Sequence, residues 1–467
     1  MEKLKIGFVP SHRVPFDEDW AISMRSRVIE QITKNLKEIE LIIPDATVTP
    51  GGILQNEEDA KKIIRYFKGK EIKGLLLGTM TFGEELPTIS VAEEFRDIPI
   101  FLFGTKEGPF TSDGSRQSDS FCGTISIAHG LLKRNIKFYF GNIYFPEEDN
   151  FVGDLKNFIR IVNIFDNFYQ TRVGLVGPRP SSFETCSINE DDLIEKFGIR
   201  VITYSLLDLY NDMNNIDDKD IKVINIVNSI KSKCDCSKVG ESTLIKSAKL
   251  EITLLNFAQR ENLSCMGLQC WTAMQNIIGI SSCLAMGRVT EAGIPVSCEV
   301  DILGALTMLI QYKASLEEAC PHFIDWTIKH QEKENIFLAF HCGNAPTSLC
   351  NPKFKPVIRE HFVLGKVCNR ENTEGCCEFQ LNAGKVTINR LVELKNKFRM
   401  LVTEGEIIYD PRKLRGSWSW IKVRDLDKLY RTIIEEGFIH HASIIHGEYN
   451  KAIKEFCKIM QVEIIEV

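Results

Sequence analysis

The sequence predicts an α/β protein with two Rossmann-like, doubly wound parallel-sheet domains followed by a β-rich, barrel-like C-terminal domain. At 467 residues the chain is too long for one hydrophobic core. Up to about residue 320, short apolar runs alternate with helix-length amphipathic segments, as in parallel sheets buried on both faces. Beyond Cys320 the runs become shorter and turns separate them, which indicates an antiparallel barrel or sandwich. We expect domains over residues 1–168, 169–320 and 321–467.

The first domain is predicted from apolar runs and the helices between them. Residues 57–67 place Ala60, Ile63 and Phe67 on one helical face, and a second helix is expected over residues 125–132. The expected strands cover residues 6–10, 41–43, 74–78, 98–103 and 138–140.

The second domain repeats this alternation. It begins with a strand over residues 172–177, which runs into a turn containing Pro178 and Pro180. Two further strands and three helices are expected, with strands at 199–204 and 265–271 and helices at 217–230, 242–261 and 276–286.

The C-terminal domain is predicted from short β-prone runs, a closing helix and a last strand. The runs cover residues 336–340, 378–381, 385–388, 397–402, 407–409 and 418–423, followed by a helix at 451–460 and a strand at 462–467.

Charge and cysteine content exclude several classes of protein. The formal charge of -6, with dispersed basic residues, gives no surface for nucleic acid or an anionic membrane. Residues 4–9 are typical of a buried first strand rather than a signal peptide, so we expect a cytoplasmic protein without a membrane partner. The fifteen cysteines are spread through strands and helices, without the spacing of a structural zinc site, and are expected to be mostly buried thiols.

Two carboxylates stand in an otherwise apolar run, at Glu299 and Asp301. A turn with Gly293 and Pro295 precedes them and a helical pattern follows, so both acids fall where a strand passes into a helix. Ligands bind at such junctions in parallel sheets. Asp301 is therefore either the N-cap of the following helix or part of a site.

Two histidine clusters also follow predicted elements. His341 comes directly after the strand at 336–340, and His440 and His441 follow a predicted helix at 425–436. Because neighbouring residues in an extended chain face opposite ways, only one of the adjacent pair is expected to face a given site. Carboxylates with imidazoles suit Mn²⁺, Fe²⁺, Co²⁺ or Mg²⁺. Sequence motifs for phosphate or nicotinamide cofactors do not occur.

The order of several short motifs resembles the L-fucose and L-arabinose isomerase family. The motifs are Gln269-Cys270-Trp271-Thr272, Gly293-Ile294-Pro295, Cys298-Glu299-Val300-Asp301, Gly304-Ala305-Leu306-Thr307-Met308, His341-Cys342-Gly343-Asn344 and Gly437-Phe438 with His440-His441. This resemblance implies an aldose–ketose isomerase that uses an ene-diol and a divalent metal, most simply Mn²⁺. It also implies a small sugar substrate and a homo-oligomer, either a trimer or a hexamer.

The resemblance assigns roles to individual residues. Asp301 matches the metal-binding acid and Glu299 lies beside it, so both are expected to be catalytic and to bind the metal. His441 is expected to be a metal ligand in preference to His440, and His341 matches a further metal histidine. We expect Gln269, Trp271 and Asn344 to contact the sugar.

One feature departs from the family pattern. Family members carry another acid between the tryptophan motif and the Asp301 position, whereas this chain has only Glu291 there, in a turn expected to be solvated. Either Glu299 supplies the missing carboxylate, or the protein catalyses another ene-diol reaction, as an epimerase or lyase, or it binds sugar without turnover.

Overall fold

The computed structural model describes residues 3–467 in two compact units, one ending at Asp166 and the other covering Asn167–Val467. The further boundary at residues 320/321 stays a prediction. Within residues 3–467, no helix combines the length and apolarity needed to cross a bilayer.

The first unit is built on a five-stranded parallel sheet with the order β2-β1-β3-β4-β5. Strands β3 and β4 are buried along their whole length, as predicted from their continuous apolar runs. The strands are β1 Leu4–Ser11, β2 Ile39–Ile42, β3 Gly74–Thr79, β4 Ile100–Thr105 and β5 Tyr139–Tyr144. The helices are α1 Glu18–Asn35, α2 Glu57–Lys68, α3 Glu85–Glu94, α4 Ser120–Lys133 and α5 Asp149–Phe168.

The second unit begins with a four-stranded parallel sheet in the order β7-β6-β8-β9. The parallel sheets in both units confirm the predicted fold class. These strands are β6 Arg172–Val176, β7 Arg200–Tyr204, β8 Cys265–Leu268 and β9 Val296–Ser297. The accompanying helices are α6 Glu190–Phe197, α7 Leu206–Asn214, α8 Ile221–Lys233, α9 Glu241–Glu261, α10 Ala273–Ile277, α11 Cys283–Glu291 and α12 Ile302–Ala314.

The single helix predicted over residues 276–286 is wrong. The structure has α10 and α11 in its place, separated by residues 278–282. Gly279 in this interval has φ of +75°, a left-handed conformation that ends a right-handed helix.

The remainder of the second unit is a nine-stranded mixed sheet with two helices. The elements are β10 Pro321–Lys329, β11 Ile336–His341, β12 Val357–Glu360, β13 Glu374–Gln380, β14 Gly384–Leu394, β15 Lys397–Ile408, β16 Ser417–Val423, α13 Leu426–Glu435, β17 His441–His446, α14 Asn450–Ile459 and β18 Glu463–Glu466. The strands expected at 397–402 and 407–409 are one continuous strand, β15.

Six of these strands close into an antiparallel barrel. The order β16-β11-β10-β17-β14-β15 is completed by pairing of β15 with β16, and all six contacts are antiparallel. The barrel was expected from the short β-prone runs, although β10 and β17 were not predicted.

Helix α12 links the parallel sheet to the barrel. It contacts β8 and β9 on the sheet and β10, β14 and β17 on the barrel, and eleven of its thirteen residues are buried. Its apolar sequence is therefore explained by burial on all sides. The site is built where this helix begins.

Candidate active site

The turn between β9 and α12 carries both predicted acids. Asp301 is the N-cap of α12, and its Oδ1 accepts a hydrogen bond from the Gly304 backbone N–H at 2.9 Å. Glu299 and Val300 have φ of +57° and +59°, which is unfavourable for residues with a Cβ. The Val300 N–H donates to the Leu268 carbonyl at 3.2 Å, which ties this strained turn to β8.

The Asp301 carboxylate is fully occupied by protein partners. Arg390, on β14, forms a two-pronged ion pair with it, with Nη2 2.9 Å from Oδ1 and Nη1 contacting Oδ2. His441 Nδ1 lies 2.8 Å from the same Oδ2. With the N-cap bond, these contacts use the four acceptor positions of the carboxylate. Both charged side chains are almost completely buried.

His441 connects this ion pair to a second group of acids. It is the first residue of β17 and the direct cross-strand partner of Asp325 on β10. Its buried ring turns Nδ1 to Asp301 and Nε2 to the opposite side. The Asp301 contact therefore fixes both the orientation of the ring and, when the imidazole is neutral, a tautomer with Nε2 free to accept.

Two carboxylate oxygens that have no hydrogen-bond partner within residues 3–467 face His441 Nε2. Glu299 Oε2 lies 3.2 Å away without hydrogen-bond alignment, and Asp325 Oδ1 lies 3.7 Å away. Buried polar atoms are normally hydrogen-bonded, so two carboxylate oxygens without such partners beside one imidazole nitrogen form a donor set suited to a cation. We call Glu299, Asp325 and His441 the acidic cluster.

His440 also reaches the acidic cluster, which differs from the expectation that only one of the two histidines would face a given site. Its Nε2 lies 3.8 Å from Glu299 Oε2, although its side chain is 43% exposed. His440 precedes β17 and so does not follow the alternation of an extended strand.

Charge in the acidic cluster shifts both titrating partners. Burial would raise the pKa of Glu299, but His440 and His441 outweigh burial and lower that pKa to about 2. Burial would lower the pKa of His441, but Asp301, Cys186 and Glu299 raise it well above the usual value. A proton on His441 thus balances negative charge that a bound cation would balance instead.

The predicted ligand His341 lies nearby with a different set of contacts. Its Nδ1 accepts the Cys342 backbone N–H at 2.8 Å, and its ring is 5.6 Å from that of Phe323, which packs against His441 at 4.6 Å. Burial lowers the pKa of His341, so the ring is held neutral. Its role as a metal ligand stays a prediction.

Ring contacts connect His440, at the edge of the acidic cluster, to Trp271. Trp271 is 6.0 Å from Phe183 and 6.1 Å from His361, measured between ring centroids, and Phe183 is 6.4 Å from His440. Flat rings of this kind pack against the C–H faces of small molecules. The position of Trp271 is compatible with the sugar contact predicted for it.

The other two predicted sugar contacts are Gln269 and Asn344. Gln269 is close to Gly177, and Asn344 lies against Gly287 of α11. Both Asn344 amide atoms and Gln269 Oε1 are without hydrogen-bond partners among residues 3–467. Neither side chain hydrogen-bonds to Glu299, Asp325 or His441 in that part of the chain. Sugar binding by Gln269 and Asn344 stays a prediction.

Sequence reasoning missed Asp325 and Arg390. Asp325 lies in a strand that was not predicted, and Arg390 is 89 residues from its partner Asp301. An acid between Ile324 and Trp326 was the only signal for Asp325. Glu291, expected to be solvated, instead accepts hydrogen bonds at 3.0 Å from Thr347 Oγ1 and the Ser348 N–H.

Two domains of a known protein family match the two ends of the chain. Residues 7–169 match the fucose/sulfoquinovose isomerase N-terminal domain, and residues 339–467 match the L-fucose isomerase C-terminal domain. Together these matches span more than half of the sequence. The chain belongs to the fucose isomerase family. This membership confirms the resemblance drawn from the short motifs.

Curated relatives of this fucose isomerase family member are sugar isomerases. Sulfoquinovose isomerase from Alkalicoccus urumqiensis is 24% identical over 470 residues, and the alignment covers 99% of each chain. Sulfoquinovose isomerase from Priestia megaterium is 23% identical, again over 99% of each chain. L-arabinose isomerase from Mannheimia succiniciproducens is 25% identical over 60% of this chain and 58% of its own.

Proposed function

We propose that the protein is a metal-dependent isomerase that interconverts an unphosphorylated aldose and its ketose through an ene-diol. One observation carries this proposal: Glu299 Oε2 and Asp325 Oδ1, which have no hydrogen-bond partner among the described residues, lie beside His441 Nε2. Two carboxylates and an imidazole are a suitable ligand set for Mn²⁺ or a similar divalent ion.

The charge of the acidic cluster also suits such an ion, and His441 belongs to two groups that could hold one, with Glu299 and Cys186 in the first and with Asp325 and His440 in the second. The surroundings hold the carboxylates of Glu299, Asp325 and Asp301, and the Arg390 guanidinium offsets the last of these. Two negative charges then remain for a divalent ion when His441 is neutral. Bound there, the ion would act as a Lewis acid on two neighbouring sugar oxygens.

Asp301 takes a positioning role in this proposal, rather than the ligand role that the family resemblance suggests. Its four acceptor positions are already used by Arg390, His441 and the Gly304 N–H. Its contact with His441 Nδ1 orients that ring, as carboxylates commonly do for metal-binding histidines. Asp325 supplies the acid that the motif comparison had not found.

Glu299 is the group best placed to move a proton between the two reacting carbons. Its low pKa keeps it ionised at neutral pH, so it can accept a proton from C2 of the aldose and return it to C1. Once His441 no longer carries a proton, the positive charge that depresses the Glu299 pKa is reduced and its basicity increases.

Sulfoquinovose is the first sugar to test, because two relatives aligned over 99% of both chains are sulfoquinovose isomerases. L-arabinose and L-fucose are the next sugars to test. The first is suggested by the L-arabinose isomerase that aligns with 60% of this chain, and the second by the match to the L-fucose isomerase C-terminal domain. A trimeric or hexameric assembly and a cytoplasmic location follow from the sequence resemblance and stay predictions.

Incubation with these sugars, Mn²⁺ and D₂O tests the proposal. We expect deuterium at C2 of the recovered aldose and formation of the ketose, with both lost in Glu299→Gln. Glu291→Gln is the matched control, since this acid lies outside the acidic cluster. Exchange without ketose would indicate an epimerase, and sugar binding without any exchange would leave a binding protein and contradict the proposal.

A further inference from the structure

A second cavity in the Asn167–Val467 unit lies outside the acidic cluster. It has a volume of about 420 Å³, within the range of small-molecule sites, and opens beside β12, β13 and the segment before β16. It shares no lining residue with the pocket that contains Trp271, His341 and His361.

Positive side chains line this second cavity. They are Lys353, Lys355, Arg359, Lys413 and Arg415. Glu378 is the one carboxylate among the lining residues, and it accepts from Arg415 Nε at 2.8 and 2.9 Å. Lys355 and Lys413 are in no salt bridge within residues 3–467, so the charge of the cavity is only partly balanced.

Gln380 marks the cavity as a built site rather than a patch of surface lysines. The residue is 1% exposed and lines the cavity, and within residues 3–467 both its amide nitrogen and its amide oxygen are without hydrogen-bond partners. Arg359 Nε is buried and also has no hydrogen-bond partner in that part of the chain, although it lies 3.8 Å from Glu360 Oε2. Unpartnered buried donors and acceptors are costly, which favours a ligand that hydrogen-bonds to them.

The other walls of the cavity are aromatic or apolar. Trp418, Phe379, Phe354 and Leu414 contribute to the lining. A ligand for this site therefore needs an anionic group for the lysines, hydroxyl groups for the Gln380 amide, and C–H faces for the rings.

We propose that this cavity, the β13 cavity, binds a sugar-sized organic anion that carries a tetrahedral oxyanion, either a phosphate or a sulfonate. The site is separate from the proposed reaction and does not depend on it. Arg415 Nη2 donates to the Glu360 carbonyl at 2.9 Å, directly before His361, which packs against Trp271. The β13 cavity is therefore one hydrogen bond and one residue from the aromatic wall of the active site.

Isothermal titration at low salt tests the proposal. Glucose 6-phosphate is expected to bind once per chain and glucose is not, with equal affinity in wild type and in Glu299→Gln, which separates the β13 cavity from the acidic cluster. Isethionate, which carries a sulfonate and a hydroxyl, shows whether a sulfonate can replace the phosphate.

Charge variants locate the binding. Lys355→Glu with Lys413→Glu is expected to weaken binding at least tenfold, whereas Lys61→Glu with Lys62→Glu in the first unit makes the same charge change and is expected to have no effect. Gln380→Leu keeps every charge and is expected to weaken glucose 6-phosphate binding several-fold. Absence of binding by both oxyanions, or equal affinity in the Lys355/Lys413 variant, overturns the proposal.

Discussion

The two sides of the His441 ring are built in opposite ways. On the Nδ1 side, Asp301 and Arg390 form a buried ion pair in which each carboxylate oxygen has its partners. On the Nε2 side, Glu299 and Asp325 also carry carboxylates, yet within residues 3–467 each leaves one oxygen without a hydrogen-bond partner. The two acids of one turn, Glu299 and Asp301, therefore differ in role although only one residue separates them.

This difference distinguishes contacts that stabilise the fold from side chains that are left available for chemistry. On the Nδ1 side, each buried charge is paired with an opposite charge. Removing either Asp301 or Arg390 would leave the other as an unpaired buried charge, which destabilises the fold. The Nε2 side departs from this pairing, and such departures concentrate at functional sites. Substitutions on the Nδ1 side should act mainly on folding, and those on the Nε2 side mainly on activity.

Asp325→Asn is expected to have the largest effect. Activity should fall by about 10⁴-fold or more, roughly 5 kcal/mol in the barrier, because a ligand carboxylate is lost. Bound Mn²⁺, measured on the purified protein, should fall with it. The free energy of unfolding should stay constant or rise, since an unpartnered carboxylate is neutralised. A large loss of stability with normal metal content would contradict the separation of the two sides.

Asp301→Ala should destabilise the fold by about 3–5 kcal/mol, because Arg390 would remain buried without its partner. Urea unfolding of the metal-free protein measures this. Metal affinity should also weaken about 10–100-fold, since His441 loses the carboxylate that orients it. Glu251→Ala is the matched control, because it breaks the buried Arg288–Glu251 pair. That control should lose stability and keep its metal affinity.

Local sequence patterns singled out Glu299 and Asp301 at a predicted strand–helix junction and the His440-His441 pair after a predicted helix. The family resemblance then grouped Glu299, Asp301 and His441 in one site. It did not show which acid is saturated, since the partner Arg390 comes from a strand 89 residues away. Asp325 was missed because the β10 residues around it show no clear alternation of apolar and polar side chains. Cross-strand register, which places Asp325 opposite His441, is a tertiary property that no local pattern contains.

His361 gives a prediction for pH dependence on the aromatic side of the site. Burial, with help from His341 and Arg415, lowers the pKa of His361 to about 4, and its Nδ1 accepts the N–H groups of Val363 and Leu364. The unfolded chain takes up the proton near pH 6.5, so stability present above that value is lost as pH falls toward 4. The difference amounts to about 3 kcal/mol.

Denaturant unfolding between pH 7 and pH 4 measures this loss. His361→Asn keeps a short side-chain acceptor but cannot titrate, and its stability should fall less steeply over the same interval. Parallel curves for wild type and variant would show that His361 carries none of the acid sensitivity.

His440→Asn is expected to have the smallest effect. The side chain is 43% exposed and its Nε2 is 3.8 Å from Glu299 Oε2, so it contributes at the edge of the acidic cluster. Activity should fall less than tenfold, against complete loss in His441→Asn. Equal losses in the two variants would show that both imidazoles bind the metal.

Closure of the six-stranded barrel helps to fix the spacing of Asp325 and His441. Asp325 and His441 face each other only because β10 and β17 pair in one alignment, and a slip of two residues would move them about 7 Å apart. In an open sheet, the two strands could slide past each other by breaking only the hydrogen bonds between them. In a closed barrel of six strands, the same shift would also require the other strand pairs to change their register. Hydrogen bonds on the far side of the barrel therefore help to hold Asp325 and His441 at their spacing.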